Sequence, residues 1–334
     1  MDNMQSTRNR LIRLLANNQD EYISGQLLSE QLNISRSAIW KQMKTLEKAG
    51  YQIEGKSKRG YRIISVPDTL NQDTLQWMLE TDWLGKKIIH KNTTTSTQSD
   101  AHQLVQEDIE HGTVVIADEQ TKGKGRMNRT WYSTKEQGVW LSMILKPPIL
   151  PYQAPQLTLL TATVLADVIH EHTKIRPQIK WPNDILINGK KIAGILTEMQ
   201  AEQDQIQYVI IGIGINVNQQ SDDLPEQIEA RATSLRMETN RDWNITQLIR
   251  HILLTFEERY ETYIDNGFAK IKHKWEGYGY KMGERIQIKT LQDQWQARFV
   301  GIAEDGALLT KTDEDEEIQK IYSAEIEWFK EENE

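Results

Sequence analysis

Apolar residues recur at helical spacing in "YISGQLLSEQLNISRSAIWKQMKTLEKAGYQIE", residues 22–54, with a break at "LNIS". The pattern predicts a short helix, a tight turn and a second helix. Ser24 is placed to cap the first, which carries Leu27 and Leu28, and Ser35 to cap the second. In the second helix Ala38, Ile39, Met43 and Leu46 share the inward face. The other side shows Arg36, Ser37, Trp40, Lys41 and Lys44, the mixture of base-reading and phosphate-pairing groups that a recognition helix needs. After Gly50, "YQIEGKSKRGYRII" alternates as two short strands around a tip holding Lys56, Lys58 and Arg59. Helix-turn-helix plus basic hairpin predicts a winged helix, used for DNA or for protein contacts. Pro67 ends this unit, and Asp68 is placed to cap a helix carrying Leu75, Met78 and Leu79.

Beyond it, helical and strand periods mix. "KIIHKNTTTSTQ" reads as a strand entering a hydroxyl-rich turn, "SDAHQLVQEDIEHG" as an amphipathic helix with Ala101, Leu104, Val105 and Ile109 on one side, and "TVVIADEQ" as a buried strand. "QLTLLTATVLADVIHEHT" predicts a long, mostly buried helix. Two β-branched runs flank Asn188-Gly189, a dipeptide that suits a type I′ hairpin turn. "YVIIGIGINVN" is a further apolar strand, with Gly212 and Gly214 where backbone or ligand must come close. Residues 219–235 are polar and poorly periodic, and predict a mobile loop. Short strands separated by polar turns at Gln292-Asp293, Asp305-Gly306 and Asp313–Glu317 predict a small terminal β-barrel. The fold class is therefore α+β with consecutive hairpins, not a doubly wound parallel sheet. It divides into a winged helix at 1–66, a central mixed-sheet domain at 67–277 and a barrel at 278–334.

Charge sharpens this division. Residues 1–66 hold 11 Lys and Arg against 6 Asp and Glu, whereas the remainder holds 29 against 42. A basic head on an acidic body is what contact of one end with nucleic acid requires. The absence of cysteine excludes disulfides, thiolate zinc sites and cysteine nucleophiles. No apolar run approaches a membrane span and no signal-peptide core is evident, so a cytoplasmic protein without membrane partners is expected. The seven histidines show no metal-ligand spacing. Asn183-Asp184 reads as a turn, leaving Asp184 outside the candidate site.

The densest chemistry lies in "TKGKGRMNRTW", residues 121–131. It is neither a Walker loop, which needs GxxxxGK[ST], nor a dinucleotide fingerprint, whose third glycine is missing. It joins two strands. Gly123 and Gly125 allow close approach, and Lys124, Arg126 and Arg129 supply positive charge. These cations make phosphate the first expectation, but with both standard phosphate loops excluded the role of this loop must come from its context.

"EQTKGKGRMNRTW", "KWPNDILINGKKIAGILTE" and "GIGINVN", in that order behind a winged helix, resemble the bifunctional biotin protein ligase and biotin operon repressor family over nearly the whole chain. The resemblance implies a central domain like the class II synthetase-like biotin/lipoate ligases and an SH3-like terminal barrel. It implies that biotin attacks the α-phosphate of ATP, giving biotinyl-5′-adenylate and pyrophosphate, with Mg²⁺ arriving on the nucleotide. A lysine of a biotin carboxyl carrier domain, of acetyl-CoA carboxylase or pyruvate carboxylase type, then takes the biotinyl group. The adenylate also acts as corepressor, promoting a homodimer on operator DNA.

Residue by residue, the resemblance places biotin against Ser96, Thr97, Gln98, Gln120, Lys124, Gly125, Arg126 and Lys180. It places ATP and the adenylate against Lys124, Arg126, Arg129, Trp131, Lys180 and Asn216, with Lys180 and Arg126 catalytic. Trp131 reads equally as core, and Asn216 as the end of a strand. DNA falls to Ser35, Arg36, Ser37, Trp40, Lys41, Lys44, Lys56, Lys58 and Arg59. No residue is assigned to a metal. The chain departs from the family's GRGRRGR loop with GKGRMNR, and from its STN pattern with Gln98. Lysine at 124 keeps the charge but loses the bidentate fork, and Asn128 suits a left-handed backbone. Three rival readings remain: a winged-helix repressor that senses biotin without chemistry, a lipoate-type acyl ligase, and a ligase whose head no longer represses.

Overall fold

The computed structural model of the chain describes residues 2–328, apart from 17, 19, 20, 68, 78, 291, 292, 313–316 and 323. Its N-terminal unit packs α1 (Asp2–Ala16), α2 (Gly25–Leu32) and α3 (Arg36–Lys48) with a hairpin of β1 (Gln52–Lys56) and β2 (Gly60–Ser65). Ser24 and Ser35 accept the Leu27 and Ala38 N–H groups at 3.0 and 3.2 Å, so both helices start where a hydroxyl meets orphan amides. Ile39, Met43 and Leu46 bury against Leu28, Leu32 and Ile63, and α1 adds Leu11, Ile12 and Leu15. Ala38, expected in this core, is only half-buried.

The joint differs from expectation. Helix α4 (Gln72–Gln76) is capped by Asn71, which accepts the Thr74 N–H at 3.0 Å while Thr74 Oγ1 accepts the Asn71 N–H at 3.1 Å. Asp68, Gln292 and most of the Asp313–Glu317 turn lie outside the described residues. Helix α4 ties two cores together: Leu75 enters that of the body, while Trp77, next after the helix, enters that of the head. Arg8 of α1 pairs with Asp73 at 2.8 Å across the same joint.

The body is built on β3 (Ile88–Thr94), α5 (Thr97–Leu104), β4 (Thr113–Lys124), β5 (Thr130–Ser133), β6 (Gly138–Leu145) and α6 (Ala154–Thr173). It continues through β7 (Gln178–Lys180), β8 (Asp184–Ile187), β9 (Lys190–Glu202), β10 (Gln205–Asn216), α7 (Glu226–Glu229), α8 (Leu235–Thr239), α9 (Ile245–Asn266) and α10 (Ala269–Tyr278). The sheet runs β3-β4-β6-β10-β9-β8-β7, with β5 on β4. The β3–β4 pair is parallel and the other ladders are antiparallel. Asn188 and Gly189 turn β8 into β9 with φ of 50° and 75°, both positive as a type I′ turn demands.

Alternation along the strands explains their continuous apolar sequence. Val114, Ile116, Leu141, Met143, Val209 and Ile211 face α6 and α9, while Val115, Ile144 and Ile210 face α5. Both sheet faces are covered, and each fully buried aliphatic side chain contributes roughly 1.5–3 kcal/mol. The expected amphipathic helix is shorter than its pattern. It ends at Leu104, so Ile109 joins the same cluster from beyond the helix. The expected mobile loop at 219–235 is a run of short helical turns. Its Arg231–Thr233 stretch hydrogen-bonds to both backbone groups of Lys191 at 2.8 and 2.9 Å.

The C-terminal strands β11 (Arg285–Lys289), β12 (Gln294–Ile302), β13 (Leu308–Lys311), β14 (Ile318–Ile321) and β15 (Glu325–Trp328) form one antiparallel sheet, ordered β14-β13-β12-β11-β15. Among the described residues no ladder joins β14 to β15, so the predicted closed barrel is here an open sheet. Asp305-Gly306 makes the expected turn, and it docks on α6.

Candidate active site

The period-two alternation places Ser142 of β6 with Gly212 and Gly214 of β10 on the α5 face of the sheet. Side chains fill the space above both glycines. A β-carbon at 212 would lie 2.6 Å from Gln98 Oε1, and one at 214 would lie 2.5 Å from the Trp131 indole. The close approach read from these glycines is therefore made by two candidate site residues, rather than by backbone.

Around Gln98 the chain assembles a hydroxyl and amide pocket. Thr97 N–H donates to Gln120 Oε1 at 2.8 Å, Gln120 Nε2 donates to Ser133 Oγ at 2.7 Å, and Thr97 Oγ1 and Ser142 Oγ share a 2.9 Å bond. Ser142 Oγ donates to Gln98 Oε1 at 3.0 Å, and Gln98 Nε2 donates to Glu198 Oε2 at 2.8 Å and to the Ile210 carbonyl at 3.3 Å. The Gln98 amide is thus fully engaged in the wall. His102 Nε2 also meets Glu198 Oε2, at 3.0 Å. Burial alone raises the Glu198 carboxyl, but the bonds from Gln98 and His102 and the charges of His102 and Lys124 bring it below its ordinary value. Ser96 is the exception: it is 1% exposed and its hydroxyl has no partner among the described residues. A buried hydroxyl without a partner is costly unless a ligand completes it.

A cationic cluster adjoins this pocket. Arg126 Nη1 donates to Asn183 Oδ1 at 3.0 Å, and Asn183 Nδ2 donates to the Ile195 carbonyl at 2.9 Å, fixing the loop cation to the 181–183 turn. Gly125 N–H to the Arg129 carbonyl, at 2.7 Å, closes the loop between them. Within it Asn128 takes φ 57°, the left-handed geometry its side chain tolerates, and so does Met127 at φ 54°. Lys180 and Asp184 are cross-strand neighbours, and Asp184 pairs with Lys191 at 2.6 Å. Burial lowers the Lys180 ammonium; Asp184 opposes that, and Lys191, Arg129 and Arg231 add to it. Burial likewise lowers Arg126, with Asp184 opposing and Arg129 reinforcing. Asp184 thus faces Arg126, Lys180 and Lys191, with Arg129 and Arg231 adding positive charge near Lys180.

Trp131 bridges the two regions. Its ring packs on Gly194 and Gly214, Lys191 Nζ stands 5.2 Å from its centroid, and Nε1 is buried with no partner among the described residues. Asn216 is 5% exposed and faces inward: Nδ2 donates to the Thr233 carbonyl at 3.0 Å, and Oδ1 accepts from Gln219 at 3.4 Å. Its amide holds the 219–233 segment, the strand-end alternative left open by the sequence. Lys124 is exposed at the end of β4. Arg36, Ser37, Trp40, Lys41 and Lys44 line the exposed face of α3 behind Ser35, and Lys56, Lys58 and Arg59 the hairpin tip. Lys56 there pairs with Glu54 at 3.1 Å. The sequence reading missed Ser142, Glu198, Asn183, Lys191 and Arg231. Lys191 carried a usable signal, because the type I′ turn at 188–189 pairs it with Leu186, two residues along the strand from Asp184.

Among the described residues no three His, Asp or Glu side chains converge as metal ligands. Asp184, the carboxylate amid the cations, is already paired with Lys191, so the residues present do not form a magnesium site.

A two-anion pocket on a mixed sheet behind a winged helix defines an acyl-activating ligase core with a DNA-binding type of head. Residues 89–216 match the Biotin/lipoate A/B protein ligase family, residues 281–328 the biotin protein ligase C-terminal domain, and residues 7–62 a helix-turn-helix domain. The bifunctional ligase/repressor BirA of Bacillus subtilis strain 168 is 46% identical over 97% of this chain and 99% of that protein. BirA of Escherichia coli K12 is 26% identical over 91% of the chain and 92% of that protein. The chain belongs to the biotin protein ligase family, in its bifunctional ligase/repressor branch. Among solved structures, the Aquifex aeolicus biotin protein ligase in complex with biotin and ATP superposes with a TM-score of 0.63 at 32% identity, over 72% of this chain and 98% of that one.

Proposed function

We propose that this chain is an ATP-dependent biotin protein ligase that also represses transcription through its winged helix. The observation that carries the ligase reading is the cationic cluster around Asp184 beside a pocket whose Ser96 hydroxyl has no partner among the described residues. Biotin's ureido end occupies the Ser96, Thr97 and Gln120 side, and its carboxylate points to Arg126 and Lys180. The carboxylate oxygen attacks the α-phosphorus of ATP, the bond to the pyrophosphate oxygen breaks, and biotinyl-5′-adenylate forms. Lys180, Arg126, Arg129 and Lys191 offset the charge that accumulates on the phosphoryl oxygens. Losing one such aimed donor costs about 10²–10³-fold in rate. Lys124 and Gly125 complete the loop over the acid, and Trp131 offers a face to adenine. Gln98 shapes the wall, and Asn216 supports the nucleotide side by holding the 219–233 segment. In the second step an uncharged lysine amine of a biotin carboxyl carrier domain attacks the acyl carbon, and AMP leaves.

We take residues 1–66 as the DNA-binding unit, 67–277 as the catalytic unit and 278–334 as an SH3-like unit, whose last strand returns to β11. The adenylate orders the 121–131 and 218–234 segments and so promotes a homodimer, which sets two α3 helices on a palindromic operator. Magnesium enters with the nucleotide, carried by its phosphates and water. No helix among the described residues is long and apolar enough to cross a membrane, and we place the protein in the cytoplasm. Mass spectrometry of a carrier domain incubated with the protein, biotin and ATP tests the reading. One added biotinyl group per acceptor lysine is expected, and an unmodified carrier contradicts it.

A further inference from the structure

Lys180 ends a strand of three residues at the edge of the eight-stranded sheet. Strand β7 pairs in that sheet with β8 and packs on α6, and its outer edge meets the C-terminal part of the chain. Tyr280 N–H donates to the Ile179 carbonyl at 2.9 Å along the outer edge. Trp181, next to Lys180 and 4% exposed, donates its indole N–H to the Gly306 carbonyl at 3.1 Å.

Gly306 sits in the turn from Ala303 to Ala307, which is itself held firmly. Ala303 N–H bonds to the Ala307 carbonyl at 2.8 Å, and Gly306 N–H to the Ala303 carbonyl at 2.9 Å. From α6, the buried Gln156 amide donates to the Glu304 carbonyl and accepts the Tyr263 hydroxyl. Gly306 takes φ +84°, and a β-carbon there would lie 3.2 Å from Leu159 Cδ1. The turn is therefore seated on α6 with no slack. Its contacts reach Trp181, α6, Lys272 of α10, and Lys320 and Tyr322 beside Asp305, and among the described residues no hydrogen bond or ion pair joins it to Ser96, Thr97, Gln98 or Gln120.

We infer that the Ala303–Ala307 turn, acting through Trp181, is a positioning element for Lys180 in the acid-activation step. The inference rests on the adenylating reading above. A short edge strand moves easily, and a charged group displaced by about 1 Å from a reacting centre can cost about 10²-fold in rate. The C-terminal sheet removes that freedom by gripping the residue that follows the lysine. Biotin binding depends on the grip only through its carboxylate, because the rest of the acid pocket is built from α5, β4, β6, β9 and β10.

The test uses the full chain with Trp181→Phe, which keeps an aromatic ring but removes the N–H, and Gly306→Ala, which disturbs the turn from the other side. For each, pyrophosphate release is measured against biotin, ATP and pH, and biotin binding by calorimetry. The expected result is a kcat lower by about tenfold to 10²-fold, with a much smaller rise in biotin Kd, since only the carboxylate meets Lys180. The alkaline limb of the kcat profile also moves to higher pH as Lys180 escapes its partly buried place. If either variant fails to fold, the other carries the test. Unchanged kcat and an unchanged limb in a folded variant overturn the positioning role. So does a loss shared equally by kcat and biotin affinity with a lowered melting temperature, which marks general loosening. No biotin-dependent release by the parent protein defeats the adenylating reading itself.

Discussion

Replacing Gly214 with alanine separates the two uses open to Trp131. A β-carbon at 214 would stand 2.5 Å from indole Cε2 and Nε1, about 1 Å inside the ordinary contact distance of roughly 3.5 Å. The strand has no room to retreat, because Gly214 pairs with Trp140 of β6 on one side and Gly194 of β9 on the other. The indole, carried on the four-residue β5, must therefore withdraw. Overpacking of this kind costs roughly 1–3 kcal/mol. If Trp131 is the platform for adenine, that energy is drawn from nucleotide binding, and ATP affinity falls by about fivefold to 150-fold. Biotin binding stays within about twofold, since the Gln98 wall rests on Gly212, two residues away. The assay is pyrophosphate release as a function of ATP at saturating biotin, paired with biotin calorimetry. An unchanged ATP dependence with a lowered melting temperature would refute the reasoning and leave Trp131 as packing alone.

Lys180 sets a pH signature. Burial lowers its ammonium, so the charged form is lost earlier, as pH rises, than that of an ordinary lysine, whose value is about 10.4. The rate of pyrophosphate release should fall with that loss, and Lys180→Arg should move the fall upward; a flat profile through the lysine range would sink the assignment. Trp77→Ala removes a buried ring from the head's core and should cost about 3–5 kcal/mol there. Scanning calorimetry should then resolve an early transition, with DNA binding lost and ligase rate within about threefold; one unchanged transition argues against the joint. Lys41→Ala should weaken binding to duplex DNA evenly across sequences and reduce the salt slope by about one, whereas an unaltered slope would remove Lys41 from the phosphate contacts.

The sequence disclosed what local chemistry controls and hid what distant segments supply. Ser24 and Ser35 announced both helices of the head, because an N-cap is written within three residues of its partner. Helix α9 carried an equally local signal, Asn244 ahead of Leu248, Ile249, Ile252, Leu253 and Phe256, that went unread. The Gly123–Arg129 loop and Lys180 were legible as clustered charge, yet their common neighbour Asp184 read as a turn. Only the β7–β8 pairing turns it toward the lysine. Gln98 was legible as a candidate contact, but not the Glu198 and Ile210 groups that hold its amide, a hundred residues and more along the chain. Asn216 holds the 219–233 segment for the same reason. That segment lacked periodicity because its order comes from the backbone of Lys191, not from an apolar face of its own. The barrel was overdrawn, since alternation records strands but not whether the two edges of their sheet, here β14 and β15, meet.

The most direct measurement is pyrophosphate release from ATP by the purified protein with biotin, lipoate or octanoate, alongside Lys180→Ala. Release with biotin alone, reduced by about 10²-fold or more in the variant, is the expected result and places Lys180 in the chemistry. Binding of biotin with no release from any of the three acids would contradict it, and would leave a winged-helix sensor in place of a ligase.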